Sequence, residues 1–485
     1  MPTLGQSAAG ANPGSTLSAR RFLAPLALAQ FICSFAGSNM NVMINDITED
    51  LDTTVNGVQA AITLFLLIMA VLMIPCSKLT DRWGRKRCFT VGLVLYGIGA
   101  LLSAVSPGLG VLIVGNSVFE GIGTALLIPP VYILTTLRFD DLPSRAKAFG
   151  MISGFGGIGA AAGPLIGGVI TSAISWRAAF VFQALIVALI VVLARRIVDP
   201  IEADPKRPFD TVGAVLSAVG MFCVVFGILQ ADADLALMAV FVVVGAVFLA
   251  GFFLWIRARE RARREPILST AVFRNRTSNL GLVTQNVQWL LLMGTSFTVA
   301  VYLQTERGYG AIETGLIFTA ATAGVLISSL AAGRLARRRA QRTLILSGFV
   351  LAIAGIGVLL GFVDVTSRIV AFVPGLLLVG LGLGVMLTAS VNVVQSSFPE
   401  ERQGEISGLS RSISNLGSSF GTAIAGTILV SGVASGSGSY ALAMGSLAVF
   451  ALVGLAAAYL LPSGPAPAGA TRGADARAVP IGSGP

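Results

Sequence analysis

Histidine is absent from the 485 residues, which excludes any mechanism built on an imidazole base, proton shuttle or metal ligand. Charge is scarce as well, at 12% of residues against roughly a quarter in soluble proteins of average composition. A water-soluble enzyme is therefore disfavoured, because charged side chains are what cover a solvent-facing surface. Only four cysteines occur, Cys33, Cys76, Cys88 and Cys223. They fall in or beside apolar runs without CxxC spacing and read as small buried hydrophobes. Neither a nucleophile and base pair, a metal cluster nor a phosphate loop can be found, so no catalytic site, cofactor or metal is expected. What is plentiful is apolar: 55% of the chain is hydrophobic, and the mean hydropathy of +0.84 makes lipid its natural solvent. The net charge of +10 could suggest nucleic acid if the basic residues lay on one soluble face.

A membrane-spanning helix needs about 20 mostly apolar residues. Fourteen such runs occur, at about 22–45, 57–77, 88–105, 109–137, 147–172, 178–197, 210–230, 235–256, 279–303, 310–333, 342–362, 368–395, 406–431 and 439–461. The first is too long for the apolar part of a signal peptide and is expected to stay as a helix. Counted over alternate loops, 30 basic residues fall on the side of the amino terminus and three, Arg177, Arg307 and Arg368, on the other. By the positive-inside rule this puts both termini in the cytoplasm and leaves no basic residue within a span, so nucleic acid is not needed to explain the charge. Acids crowd the first external loop instead, at Asp46, Glu49, Asp50 and Asp52.

Two stretches recur. Lys78-Leu79-Thr80-Asp81-Arg82 is echoed 256 positions later by Arg334-Leu335-Ala336-Arg337-Arg338, and Gly159, Gly163 and Gly168 are echoed 258 positions later by Gly417, Gly421 and Gly426. Together they suggest two six-helix halves with an inserted hairpin. The implied organisation is a disordered cytoplasmic tail at 1–21, an N-terminal bundle at 22–197 and a linker with inserted helices at 198–256. A cytoplasmic linker at 257–278, a C-terminal bundle at 279–461 and a second disordered tail at 462–485 follow. Repeated halves meeting at a midplane cavity are the architecture of secondary transporters.

The loop Ser77-Lys78-Leu79-Thr80-Asp81-Arg82-Trp83-Gly84-Arg85-Lys86-Arg87 resembles the signature loop of the major facilitator superfamily, G-x-L-a-D-r-x-G-r-k. A tight turn at Gly84 can present Asp81 to helix ends or arginines, while Arg85 and Lys86 are expected to face the cytoplasm. A generic positive-inside loop would not ask for Asp and Gly at these offsets. In the fifth run, Gly159-x-x-x-Gly163-Pro164-x-x-Gly167-Gly168 resembles the antiporter motif of drug-exporting members. Small residues four apart also serve close helix packing by themselves. Phe209-Asp210 with Val212-Gly213-Ala214, Ser175-Trp176-Arg177 and the number of runs resemble the fourteen-helix drug:proton antiporter branch. The resemblance implies an all-α polytopic fold. In that branch the first span usually carries an acid where Ala36 stands and a proline where Asn45 stands, and the fourth span an arginine and a glutamine where Ser117 and Glu120 stand. The proton-linked pair usual in the branch is thus missing.

Glu120 reads as the one charged residue well inside any run, roughly 17 Å deep. An ionised carboxylate there costs several kcal/mol unless solvated, so it is expected to face a cavity; it is the first candidate for proton coupling, with Asp46 at the external mouth second. A protonated Glu hydrogen-bonded to a neighbouring helix is the structural alternative. Candidates to line a wet cavity are Asn39, Asn41, Gln183, Gln285, Asn286, Gln288 beside Trp289, Asn392, Gln395 and Asn415, each of which could equally make an interhelical hydrogen bond. The expected partners are the lipid bilayer, a small amphipathic substrate and protons. The expected state is a monomer in a bacterial cytoplasmic membrane. The leading functional expectation is an exporter of amphipathic small molecules, drugs or natural products, working by alternating access and driven by proton antiport. Weighed beside it are a lipid or polar-solute transporter of the same fold without conventional proton coupling, an importer, and a non-transporting receptor or scaffold.

Overall fold

In the computed structural model the apolar runs are helices, and their ends have local causes. The structure describes residues 13–139, 142–199, 203–206, 208–230, 234–335, 339–362, 369–398, 402–430 and 436–462. Most of the two expected tails, Arg368 and the echo residues Ala336, Arg337 and Arg338 lie outside the described residues. The helices are α1 (Pro13–Asn39), α2 (Ile44–Asp50), α3 (Val55–Trp83), α4 (Arg85–Ala104), α5 (Leu109–Leu112), α6 (Gly121–Arg138), α7 (Leu142–Ala173) and α8 (Trp176–Ala194). After them come α9 (Thr211–Leu229), α10 (Leu235–Arg261), α11 (Arg276–Val301), α12 (Ala311–Leu335), α13 (Gln341–Phe362), α14 (Phe372–Gln395), α15 (Gln403–Val430) and α16 (Ser437–Tyr459). Two π-helical stretches, Ile113–Glu120 and Tyr302–Glu306, join α5 to α6 and extend α11.

Short polar side chains start several of these helices by accepting orphan backbone N–H groups. Thr54 caps α3 through Gly57 at 3.2 Å, Ser175 caps α8 through Ala178 at 3.3 Å, and Asn275 caps α11 through Ser278 at 3.1 Å. Asp210 caps α9 and does more. Its carboxylate also accepts Trp255 Nε1 at 2.9 Å and the Ile267 amide at 3.1 Å, with Arg259 at 3.6 Å, so one buried acid ties together both helices of the α9–α10 hairpin and the chain that follows.

Burial sorts the chain into two main apolar cores. One is built almost wholly from residues 23–197 and the other from residues 287–461. The α9–α10 hairpin stands apart from both. Helix α9 lies against α3 and α15, and α10 packs on α9 while leaving Val243, Val247 and Leu254 exposed.

Among the described residues, twelve helices are long and apolar enough to cross a membrane, or thirteen if Gly154–Ala160 and Ala162–Ala173, bent by 45°, form one span. The expected count of fourteen is not reached on those criteria. Helix α15 falls short because its 28 residues include Arg411, Asn415 and six serines. Arg411, expected in a loop, sits about two turns inside α15, so the helix that covers the thirteenth apolar run carries a basic residue.

The glycine repeat has a shared structural meaning. A Cβ at Gly159 or Gly163 of α7 would overlap α1, at the Phe31 carbonyl and at Ser38, and one at Gly168 would overlap Ala311 of α12. A Cβ at Gly417 or Gly421 of α15 would overlap α11, at the Asn286 and Leu290 carbonyls, and one at Gly426 would overlap Gln59 of α3. Each helix thus uses two glycines to press on the first long helix of its own group and a third to press on the second long helix of the other.

Candidate functional site

Glu120 ends the first π-helical stretch, where the wider turn shifts side chains off the 3.6-residue register. Its side chain is fully buried, which departs from the expected position on a solvated cavity. It lies against α4 where there is little room: a Cβ on Gly99 would stand 2.8 Å from Glu120 Cγ. Tyr96 and Ser103 of α4 flank the carboxyl. Their hydroxyls are committed elsewhere, Tyr96 Oη donating to Gln183 Oε1 at 2.5 Å and Ser103 Oγ to the Gly99 carbonyl at 2.9 Å. Both Glu120 oxygens are left without a hydrogen-bond partner in good geometry. Gln183, expected as a cavity amide, belongs to this network. Ser117, which stands where the resemblance asks for arginine, donates instead to the Ala61 carbonyl of α3 at 2.7 Å.

Other buried amides are orphaned too. Asn39 and Asn116 lack partners for both side-chain polar atoms, and Gln183, Gln285 and Gln288 for their Nε2. The C-terminal amides are otherwise spent on helix contacts. Gln285 accepts Ser410 Oγ at 2.8 Å, Gln288 accepts Ser390 Oγ at 2.9 Å, Asn286 donates to the Ile413 carbonyl at 2.9 Å and Gln395 donates to Ser407 at 3.0 Å. Asn415 is partly buried, and Trp289 packs against the first apolar core. Asn392 is exposed, so it is not brought to the interior cluster.

At the end of the molecule that carries the Asp81–Lys86 loop, Gly84 turns the chain with a φ of 94°, which a residue with a Cβ adopts only under strain. Arg85 folds back to Asp81 at 2.8 Å and is buried, a correction to its expected outward position, while Arg82 stays exposed. Asp199 accepts the Arg85 and Lys86 amides at 2.7 and 3.3 Å, placing a negative charge on the N-terminus of α4. The loop is therefore fastened to the chain after α8.

The two groups of helices are joined at the opposite end. Gln304 donates to the Asn41 carbonyl at 2.7 Å, and Asn45 donates Nδ2 to the Gln304 carbonyl at 3.0 Å and its own amide to Gln304 Oε1 at 3.3 Å. In the α7 motif, Gly163 and Gly167 meet α1 beside Asn39, Gly168 meets α12, and the Pro164 carbonyl lies against Gly315 of α12. Beside this seam, Asp46 is partly buried, and burial with the neighbouring Glu49 holds its carboxyl above the ordinary value. Asp50 pairs with Arg177 and accepts Trp176 Nε1 at 3.1 Å, and the guanidinium holds its carboxyl below that value.

Sequence reasoning passed over Tyr96, Asn116, Gln304 and Arg411. Asn116, within the fourth apolar run, and Gln304, at the edge of the ninth, carried the same polar-in-apolar signal as the chosen amides. A family model described as Major Facilitator Superfamily matches residues 26–422. The chain belongs to the major facilitator superfamily. This major facilitator chain is 29% identical over 434 residues to the tetracenomycin C resistance and export protein of Streptomyces glaucescens, covering 87% of this chain and 78% of the relative. It is 28% identical over 407 residues to the multidrug efflux pump LfrA of Mycolicibacterium smegmatis, covering 84% and 80%. With the multidrug resistance protein Stp of Mycobacterium tuberculosis it shares 26% over 392 residues, covering 80% and 72%. Family and relatives are transporters rather than enzymes by name.

Proposed function

We propose that the protein is a secondary exporter of amphipathic small molecules that works by alternating access in exchange for protons. The reading places it as a monomer in a bacterial cytoplasmic membrane, with both termini and the Asp81–Lys86 loop on the cytoplasmic side. Its fourteen spans are the fourteen long helical rods, with α9–α10 as the hairpin inserted between two six-helix halves. The resistance and export functions named for the relatives support the direction of transport. The seam of Asn41, Asn45 and Gln304 with the α7 glycines is then the external closure that must part for release. The Asp81–Arg85 pair and Asp199 hold α3, α4 and the end of α8 together, so that the first half moves as one body.

Proton exchange rests on one observation: a fully buried Glu120 whose carboxyl oxygens have no good partner and no cation paired with them among the described residues. Leaving an ionised carboxylate in such a place costs several kcal/mol. The site suits a carboxyl that carries its proton while the protein is closed and releases it once rearrangement admits water. Asp46, partly buried beside the seam, is the second candidate. Reconstituted protein tested with cationic dyes, neutral antibiotics and lipids should show substrate-driven proton flux that falls to the level of empty vesicles in Glu120→Gln, with substrate binding retained. Unchanged coupling would remove Glu120 from the mechanism. Substrate flux without proton flux in the unaltered protein would support the lipid or polar-solute reading.

A further inference from the structure

Arg411 is a cation inside the second group of helices that proton exchange at Glu120 does not use. It comes from α15, and its guanidinium carbon sits 4.7 Å from the ring centroid of Tyr132, which belongs to α6 in the first group. The ring is held by its own hydroxyl, which donates to Gln30 Oε1 at 3.1 Å. Around the guanidinium is a gap of about 10 Å³, room for about one water, between α3, α6 and α15, with Met73, Pro129 and Ile133 as apolar walls and Ser77 and Ser407 as hydroxyl-bearing ones. Among the described residues no carboxylate pairs with Arg411. Glu120 is not its counter-ion here.

A guanidinium cannot shed its charge in a protein, and an aromatic face satisfies one side of it while its N–H donors remain in the plane. An unneutralised cation held between helices favours whatever anion can reach it. Once alternating access parts the helices and widens this gap, its surroundings narrow the choice further: apolar walls and a clamped aromatic ring suit a flat, apolar body, and the planar donors suit a carboxylate or an ionised phenol. We propose that Arg411 is a specificity-determining residue of the cleft between the halves, selecting amphipathic aromatic molecules that carry an anionic group. This inference rests on the exporter reading and names the class of substrate for it.

The test is binding of three probes to the purified full-length protein: 2-naphthoate, its uncharged amide 2-naphthamide, and tetraphenylphosphonium. The unaltered protein should bind the carboxylate at least about tenfold more tightly than the amide, as befits a charge-assisted contact. Arg411→Gln should abolish that preference while keeping its affinity for the amide, and Arg411→Lys should keep part of it. Equal affinity for carboxylate and amide in the unaltered protein overturns the inference. So does a parallel loss of both in Arg411→Gln, the signature of a residue that only holds the two halves together. Binding of tetraphenylphosphonium alone overturns it and leaves the exporter reading standing, whereas binding of none of the three overturns both.

Discussion

Helices α7 and α15 occupy matching places and use the same glycine spacing, yet they carry different chemistry. Each lays two glycines on the first long helix of its own group and one on the other group. Around those contacts α7 has Pro164 and no charge from Ala148 to Ala173, whereas α15 has six serines and Arg411. The interior acid, Glu120, belongs to the first group and the interior base to the second. What repeats is backbone packing, which depends on the absence of side chains. What differs is the polar cargo mounted on that frame, which is free to diverge as long as the helices still meet.

The most damaging way to break the comparison is to fill the shared contacts. Gly159→Ala and Gly417→Ala each drive a methyl group into a backbone carbonyl, of Phe31 and of Asn286, and a backbone cannot move aside as a flexible side chain can. Each should destabilise the protein by about 1–3 kcal/mol or more and lower transport, by similar amounts if the two helices are equivalent. Gly357→Ala in α13, with nothing within 4 Å of the added atom, should be neutral or slightly stabilising. Thermal unfolding of the purified variants checks all three; a large loss for one α7 or α15 variant and none for the other would end the equivalence.

A smaller effect is expected at the loop, where the halves differ in sequence. Asp81 holds the buried Arg85, whereas the residue 256 positions later is Arg337, of opposite charge. Asp81→Asn should cost about 1–3 kcal/mol by leaving a buried guanidinium short of its charge partner, while Arg337→Gln should cost little. Unfolding midpoints measured side by side would show whether the first half alone is fastened this way.

Much of this was readable from the residues, for identifiable reasons. Apolar length marks the spans because lipid tolerates little else, and the glycine echo marks a packing contact because only glycine allows it. The surroundings of Glu120 were not readable: Tyr96 and Gln183 lie 24 residues before it and 63 after it, and only packing brings them together. The π-helical stretch that ends at Glu120 also breaks the 3.6-residue period on which helix faces are read. Arg411 falls among the loop charges in a count from sequence because a charge near the start of a run looks the same whether the helix begins before it or after it. The amides of α11 were recognised as polar within an apolar run, but sequence cannot distinguish a hydrogen bond to Ser390 or Ser410 from a place in a wet cavity.

The gentlest test sets two acids of one short helix against each other. Asp50 is held below the ordinary carboxylate value of 3.8 by Arg177, so the stability it contributes is present above that value and is lost as pH falls through its folded pKa. Asp46 is held above 3.8 by burial, so its contribution runs the other way: it is full below 3.8 and lost as pH rises through the folded pKa. Asp50→Asn should therefore lower the unfolding midpoint at neutral pH, with the gap closing on acidification. Asp46→Asn should raise it at neutral pH, with its gap closing likewise. Both effects should stay within about 1 kcal/mol, since the Asp50 side chain is 44% exposed and water screens the pair. Midpoints recorded between about pH 3 and 7 decide the matter, because that range brackets ordinary carboxylate titration. If Asp46→Asn lowered the midpoint at neutral pH, the carboxylate beside the Asn45–Gln304 seam would be stabilised as an anion, and its candidacy as a second proton site would fall.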